Sequence, residues 1–349
     1  PDEALFSAAR NGELRKPGQM AQAFDRMIAD PKIERFLNSF PHQWLQLHRV
    51  GMFQPDPNLY PEYGPWLEES MLLETKAYFA EMFRKNLPLR EAVDSDWTML
   101  NTRLAAHYGL PAPQDLEIAR VTLKPESGRG GILTHASVLS LTSDGTRHRP
   151  VHRGAWLSET ILALTPPPPP PNVEPLEPIA SDQPKTTIRA QLESHATQAA
   201  CASCHAKIDP LGLAFENFDA IGRWREKNDE GLTIDSAGKL PDGKKFSTPA
   251  GLKRLLAKRE ADLARGLAER VDVLDRAGAL AELGRRRRAI RTAPAANRGP
   301  AAPHPRLCCG RRWRDHGVGT ELVLFNRRGV DALVGGDVAP HVVDVVAHV

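Results

Sequence analysis

Three residues within one pentad, CASCH, carry the densest chemistry of this 349-residue chain: Cys201, Cys204 and His205. Two thiols at this spacing can add across the vinyl groups of a haem, and a histidine directly after the second lies close enough to coordinate the iron. The pattern predicts covalently bound haem c, with Cys201 and Cys204 as attachment points and His205 as proximal iron ligand. Zinc draws on the same donors, but a closed zinc site takes four ligands. The only other cysteines, Cys308 and Cys309, are adjacent to each other and far along the chain. A thioredoxin-like dithiol calls for a strand before the pair, whereas the flanks here read as helix and loop. Zinc, a redox dithiol and inert thiols stay as weaker alternatives.

The sixth iron position is less determined. The distal methionine usual in small cytochromes c would follow the pentad, and no methionine occurs after Met99. The expected ligand is therefore histidine, or the position is open. His135, behind a loop of Gly128, Gly130 and Gly131, can approach from a separate segment. His195 precedes Cys201 on a short tether, which ranks it slightly behind His135. His148 and His152 are expected to be structural or to meet the haem propionates. Arg147, Arg149, Arg153, Arg223 and Arg225 are further propionate candidates, because guanidinium pairs well with carboxylate.

The elements that must position these residues read as mainly α. Met20, Phe24, Met27 and Ile28 recur at helical spacing, and Asp30 with Pro31 signals the start of the next helix, carrying Ile33, Phe36, Leu37 and Phe40. A third helix is predicted over 65–86 and a fourth from about Asp96 to His107, ended by Gly109 and Pro111. His42, His48 and His107 in this region read as surface or packed residues. A short strand is expected over 116–123, then a helix over 151–164 closed by the proline run 166–171, a stiff polyproline spacer. A helix from about Thr187 leads into the pentad, Ile208–Gly212 reads as a turn, and Leu252, Leu255, Leu256, Leu263 and Leu267 read as one last amphipathic helix.

Composition is ordinary for a globular protein, with 41% hydrophobic and 26% charged residues. No apolar run approaches the ~18 residues of a membrane helix. The net charge of +3 is unevenly spread: residues 271–349 carry 13 Arg and no Lys against 8 acidic residues, and the first 270 carry 33 basic against 35 acidic. The run Arg285–Arg288 has no interleaved aromatic residues, which favours a solvated charge run over a nucleic-acid surface.

The segment CASCHAKIDPLGLAFENFDAIGRWR resembles the haem-binding module of multidomain cytochrome c-like proteins of planctomycetes. The likeness extends to RGGILTHASVLSLTSDGTRHRPVHRGAW, PHQWLQLHRV, YPEYGPWLEESMLLET and LNTRLAAHYGLP, and covers roughly residues 1 to 270. It implies a helical module over 1–115, a cytochrome c-like haem module over 116–250 and the start of a C-terminal helical module over 251–270. Further domains are expected upstream, so that Pro1 falls inside a longer protein. Residues 271–349 depart from the pattern, with no Lys, Met or Tyr. They read as the product of a shifted reading frame or as a divergent basic tail. The resulting expectation is an exported haem protein, periplasmic or at the cell surface, that passes single electrons to a redox partner protein. A haem enzyme acting on an extracellular substrate, and a binding or scaffold module with structural haem, are the alternatives.

Overall fold

The computed structural model describes residues 2–113, 117–166, 186–195, 199–228 and 231–271; the side chains of residues 195 and 199–201 are outside that set. The proline spacer beyond Pro166 and the tail from 272 on also fall outside it.

The chain is mainly helical. Helix α1 (Glu3–Arg10) is capped by Asp2, whose carboxylate accepts from the Leu5 amide at 2.8 Å. It packs with α2 (Gln19–Ala29) around Leu5, Leu14 and Ala23. Helix α3 (Ile33–Trp44) runs through Pro41 without a break. A tight turn leads into it: Asp30 is extended and its carboxylate accepts from the Lys32 amide at 2.8 Å, with Pro31 between them, so that Asp30 caps the turn from which α3 continues. Against α3 lies α4 (Pro65–Arg84), opened by a proline at a first-turn position where its missing N–H costs nothing. Aromatic rings join the two: Phe40 meets Phe79 at 5.5 Å between centroids and Phe36 meets Phe83 at 5.5 Å.

The buried stripe of α4, Leu67, Ser70, Met71, Glu74, Thr75, Tyr78 and Met82, follows helical spacing, yet it buries Ser70, Glu74 and Thr75. Residues 97–100 form strand β1 (Trp97–Leu100), not the start of a helix. It pairs antiparallel with β2 (Ala119–Thr122), Trp97 facing Thr122. The helix expected there is only α5 (Thr102–Tyr108). Its N-cap Asn101 accepts from the Leu104 amide at 2.9 Å, and Gly109 ends it in the left-handed region.

The second half begins with a glycine turn that backbone crowding makes obligatory. A Cβ on Gly130 would lie 1.9 Å from the Ser95 carbonyl oxygen. Helices α6 (Ala136–Leu141) and α7 (Pro150–Trp156) follow, α7 widening into a π turn over Leu157–Ile161. Helices α8 (Ile188–His195) and α9 (Ala199–Leu213) come next. Helix α9 passes through Ile208–Gly212, where a turn was expected, with Pro210 inside it. A hairpin of β3 (Gly238–Lys239) and β4 (Lys245–Phe246) leads to α10 (Pro249–Ala257) and to α11 (260–271). The last amphipathic stretch is therefore two helices. One apolar core joins α3 and α4 to α6, α7, α9, α10 and α11, through residues from Leu37 to Val271.

Candidate functional site

Helical spacing does the first part of the work at the pentad. Residues three and four apart share a helix face, and 201, 204, 205, 208, 209 and 212 fall along one stripe of α9. The C-terminal half of that stripe is pinned to α7. A Cβ on Gly212 would stand 1.7 Å from the Pro150 carbonyl oxygen, and one on Gly154 would stand 2.0 Å from that of Ile208. The two backbones meet because neither glycine has a side chain, and this contact fixes α9 in rotation and height. Cys204 is partly exposed one turn away. Cys201 occupies the preceding turn, and its side chain lies outside the described residues.

His205 is held by its own helix. Its Nδ1 lies 3.0 and 2.9 Å from the two oxygens of Asp209, one turn on. Both side chains are largely buried, at 14% and 13% exposure. A carboxylate only accepts hydrogen bonds, so Nδ1–H donates to Asp209, and Nε2 is the nitrogen that could carry a lone pair toward a metal. A metal-bound imidazole uses this arrangement, with one nitrogen toward the metal and the other N–H held by a carboxylate. An imidazole held this way could serve as a ligand to haem iron. Among the described residues no three His, Cys, Asp or Glu side chains converge as a multidentate metal site.

His135 lies elsewhere. It is 1% exposed at the N-cap of α6, with Nδ1 3.0 Å from the Thr75 hydroxyl and Nε2 3.4 Å from that of Thr98. Burial, with the charges of Arg129 and Lys253, pushes its pKa down to about 3, so the ring is neutral. Its neighbours form a polar network the sequence reading did not assemble. Glu74 accepts from the Thr98 hydroxyl at 2.7 Å and the Tyr108 hydroxyl at 2.5 Å, and burial pushes its pKa up to about 7. Tyr108 accepts in turn from the Ala136 amide at 2.8 Å. Arg129 stacks 3.5 Å over the Tyr108 ring and donates to the carbonyls of Thr134 and Gly222. The signal that could have revealed this was Glu74 itself, a carboxylate on the apolar stripe of α4.

The propionate candidates other than Arg149 are similarly engaged. Arg153, 2% exposed, donates to the carbonyls of Phe215 at 2.9 Å and Leu139 at 3.1 Å and to the Thr142 hydroxyl at 3.1 Å. It is a buried brace between α6, α7 and the turn after α9, and burial together with the nearby Arg225 charge lowers its pKa to about 9. Arg223 pairs with Asp219 and Glu62, Arg147 with Asp144, and Arg225 meets His148 Nδ1 at 2.7 Å. Arg149 is exposed at the N-cap of α7. His152 faces Arg49 at 3.0 Å, and His107 meets the Ile221 carbonyl at 2.8 Å. His195 closes α8, four residues before α9 begins at Ala199.

Two family models match this arrangement. Residues 1–110 match PSD4, a protein of unknown function (DUF1592), and residues 129–228 match PSCyt3, a protein of unknown function (DUF1588). The chain therefore carries two domains of families found in planctomycete-type multihaem cytochrome c-like proteins. No curated protein and no solved structure matches it. Among the described residues no helix is long and apolar enough to cross a membrane.

Proposed function

We propose that α9 is the attachment helix of haem c, fixed through Cys201 and Cys204 and ligated by His205, and that the protein is exported and passes single electrons to a redox partner. The observation that carries this is His205 Nδ1 held by Asp209 at 2.9 Å on the helix face that also bears position 204. Bound there, the haem would supply a one-electron couple at the iron. The chain's own contribution is mechanical and electrostatic. The glycine crossing of α7 and α9 sets the helix, and Asp209 sets the tautomer and ring orientation of His205.

The distal position decides between transfer and catalysis. Both ring nitrogens of His135 are within reach of threonine hydroxyls inside the core, which shifts the choice to His195 or to an exchangeable external ligand. The latter case favours a haem enzyme as the second reading. His195→Ala in the haem-loaded protein separates them. Loss of the six-coordinate low-spin ferric spectrum identifies His195 and supports transfer. A wild-type protein that is already high-spin and binds cyanide supports catalysis. Pigment extracted from the wild type by acid acetone would contradict the covalent reading altogether.

A further inference from the structure

We infer that Asp209 is a positioning residue that tunes the iron through His205, biasing it toward the ferric state; this rests on the haem reading above. Both carboxylate oxygens of Asp209 lie within 3.0 Å of the same ring nitrogen, His205 Nδ1. Asp209 sits one turn after His205 in the same regular helix, so the pair needs no loop or partner chain to form. The backbone around it is closely packed against α7. Ile208, its neighbour, is in the crossing with Gly154, and Gly212 is in contact with Pro150.

A charge-assisted hydrogen bond is about twice as strong as a neutral one. A carboxylate drawing on Nδ1–H raises the basicity of Nε2, and a more basic ligand stabilises the more highly charged metal. Burial strengthens the effect, because the pair is only 14% and 13% exposed and water screens it poorly. A carbonyl in the same place would orient the ring equally well but would not bring a negative charge. The acid at 209 therefore implies a couple displaced toward low potential. Its electron donor must be a correspondingly strong reductant.

The test is a redox titration of haem-loaded wild type, Asp209→Asn, Asp209→Ala and Asp209→Glu. Asparagine keeps an acceptor of nearly the same shape and removes the charge. The expected result is an equilibrium moved at least tenfold toward ferrous iron in Asp209→Asn, about 59 mV for a one-electron couple. Asp209→Ala should move at least as far, and Asp209→Glu should stay within threefold of wild type. A change of less than twofold in both Asp209→Asn and Asp209→Ala, with haem attached, overturns the inference. If Asp209→Asn yields no folded protein, the comparison of glutamate with alanine decides: equal equilibria overturn the inference. A wild-type chain that acquires no covalent haem during c-type maturation overturns the haem reading itself, which is a separate failure.

Discussion

Replacing Gly212 by alanine sets two effects of opposite sign against each other. In a helix interior alanine is preferred to glycine by about 1 kcal/mol, through backbone entropy. At the α7–α9 crossing the added Cβ would stand 1.7 Å from the Pro150 carbonyl oxygen, while contacts under 3.0 Å are essentially never seen, so the helices must part by roughly 1.3 Å, the difference. Overpacking costs ~1–3 kcal/mol, and the upper end applies because the obstacle is backbone rather than a flexible side chain. The net expectation is a loss of about 2 kcal/mol. Gly154→Ala, 2.0 Å from the Ile208 carbonyl oxygen, should cost a similar amount. The opening made for one methyl also accommodates the other, so the double variant should lose less than the sum. Urea unfolding of the full chain, followed by tryptophan fluorescence, measures all three. An unchanged or raised midpoint in either single variant would refute the tight crossing and, with it, the argument that it fixes α9.

Arg153→Ala should destabilise by ~2–4 kcal/mol, because the carbonyls of Phe215 and Leu139 each lose a charge-assisted bond while keeping a second donor, Phe218 N–H and the Thr142 hydroxyl; thermal unfolding reads it, and a change under 1 kcal/mol would contradict the brace. His135 has its folded pKa lowered to about 3 from 6.5. Between those values the unfolded chain binds a proton that the folded chain does not, so stability falls as pH drops, by up to ~1.4 kcal/mol per pH unit. His135→Gln should remove that proton from the acid slope measured by urea titration at several pH values; an unaltered slope would contradict neutral burial. Glu74 acts oppositely. Its folded pKa is raised to about 7 from 4.5, so its contribution is present below 4.5 and is lost as pH rises through 7. Glu74→Gln should therefore flatten the loss of stability toward neutral pH, and an unchanged profile would contradict the buried carboxylate.

Local signals in the sequence located the long helices well. The aromatic spacing of Phe36 and Phe40 and the proline at the head of α4 correspond to α3 and α4, and Gly109 does end α5. The errors came where long-range contacts overrule local preference. Trp97–Leu100 is too short for periodicity to separate strand from helix, and its pairing partner lies beyond α5 at Ala119–Thr122. Asp209, Pro210 and Gly212 have turn chemistry, but Gly212 is needed for the crossing with α7 and the helix continues through it. No glycine or proline marks the break between α10 and α11 around Lys258. At the site, the order Cys201, Cys204, His205 was visible as a motif, and Asp209 was overlooked because its meaning depends on the segment being helical. The buried roles of Arg129, His135 and Arg153 were not legible, since their partners are spread from Thr75 to Gly222.

The most direct test of the haem reading is the intact mass of the denatured chain after production with c-type haem maturation. Wild type should be heavier than its sequence by one haem, Cys201→Ser and Cys204→Ser together should have the bare mass, and His205→Ala should fail to give the six-coordinate low-spin ferric spectrum of a histidine-ligated haem. A wild-type chain that stays at its bare sequence mass, with any pigment lost on denaturation, would contradict the claim that α9 attaches haem.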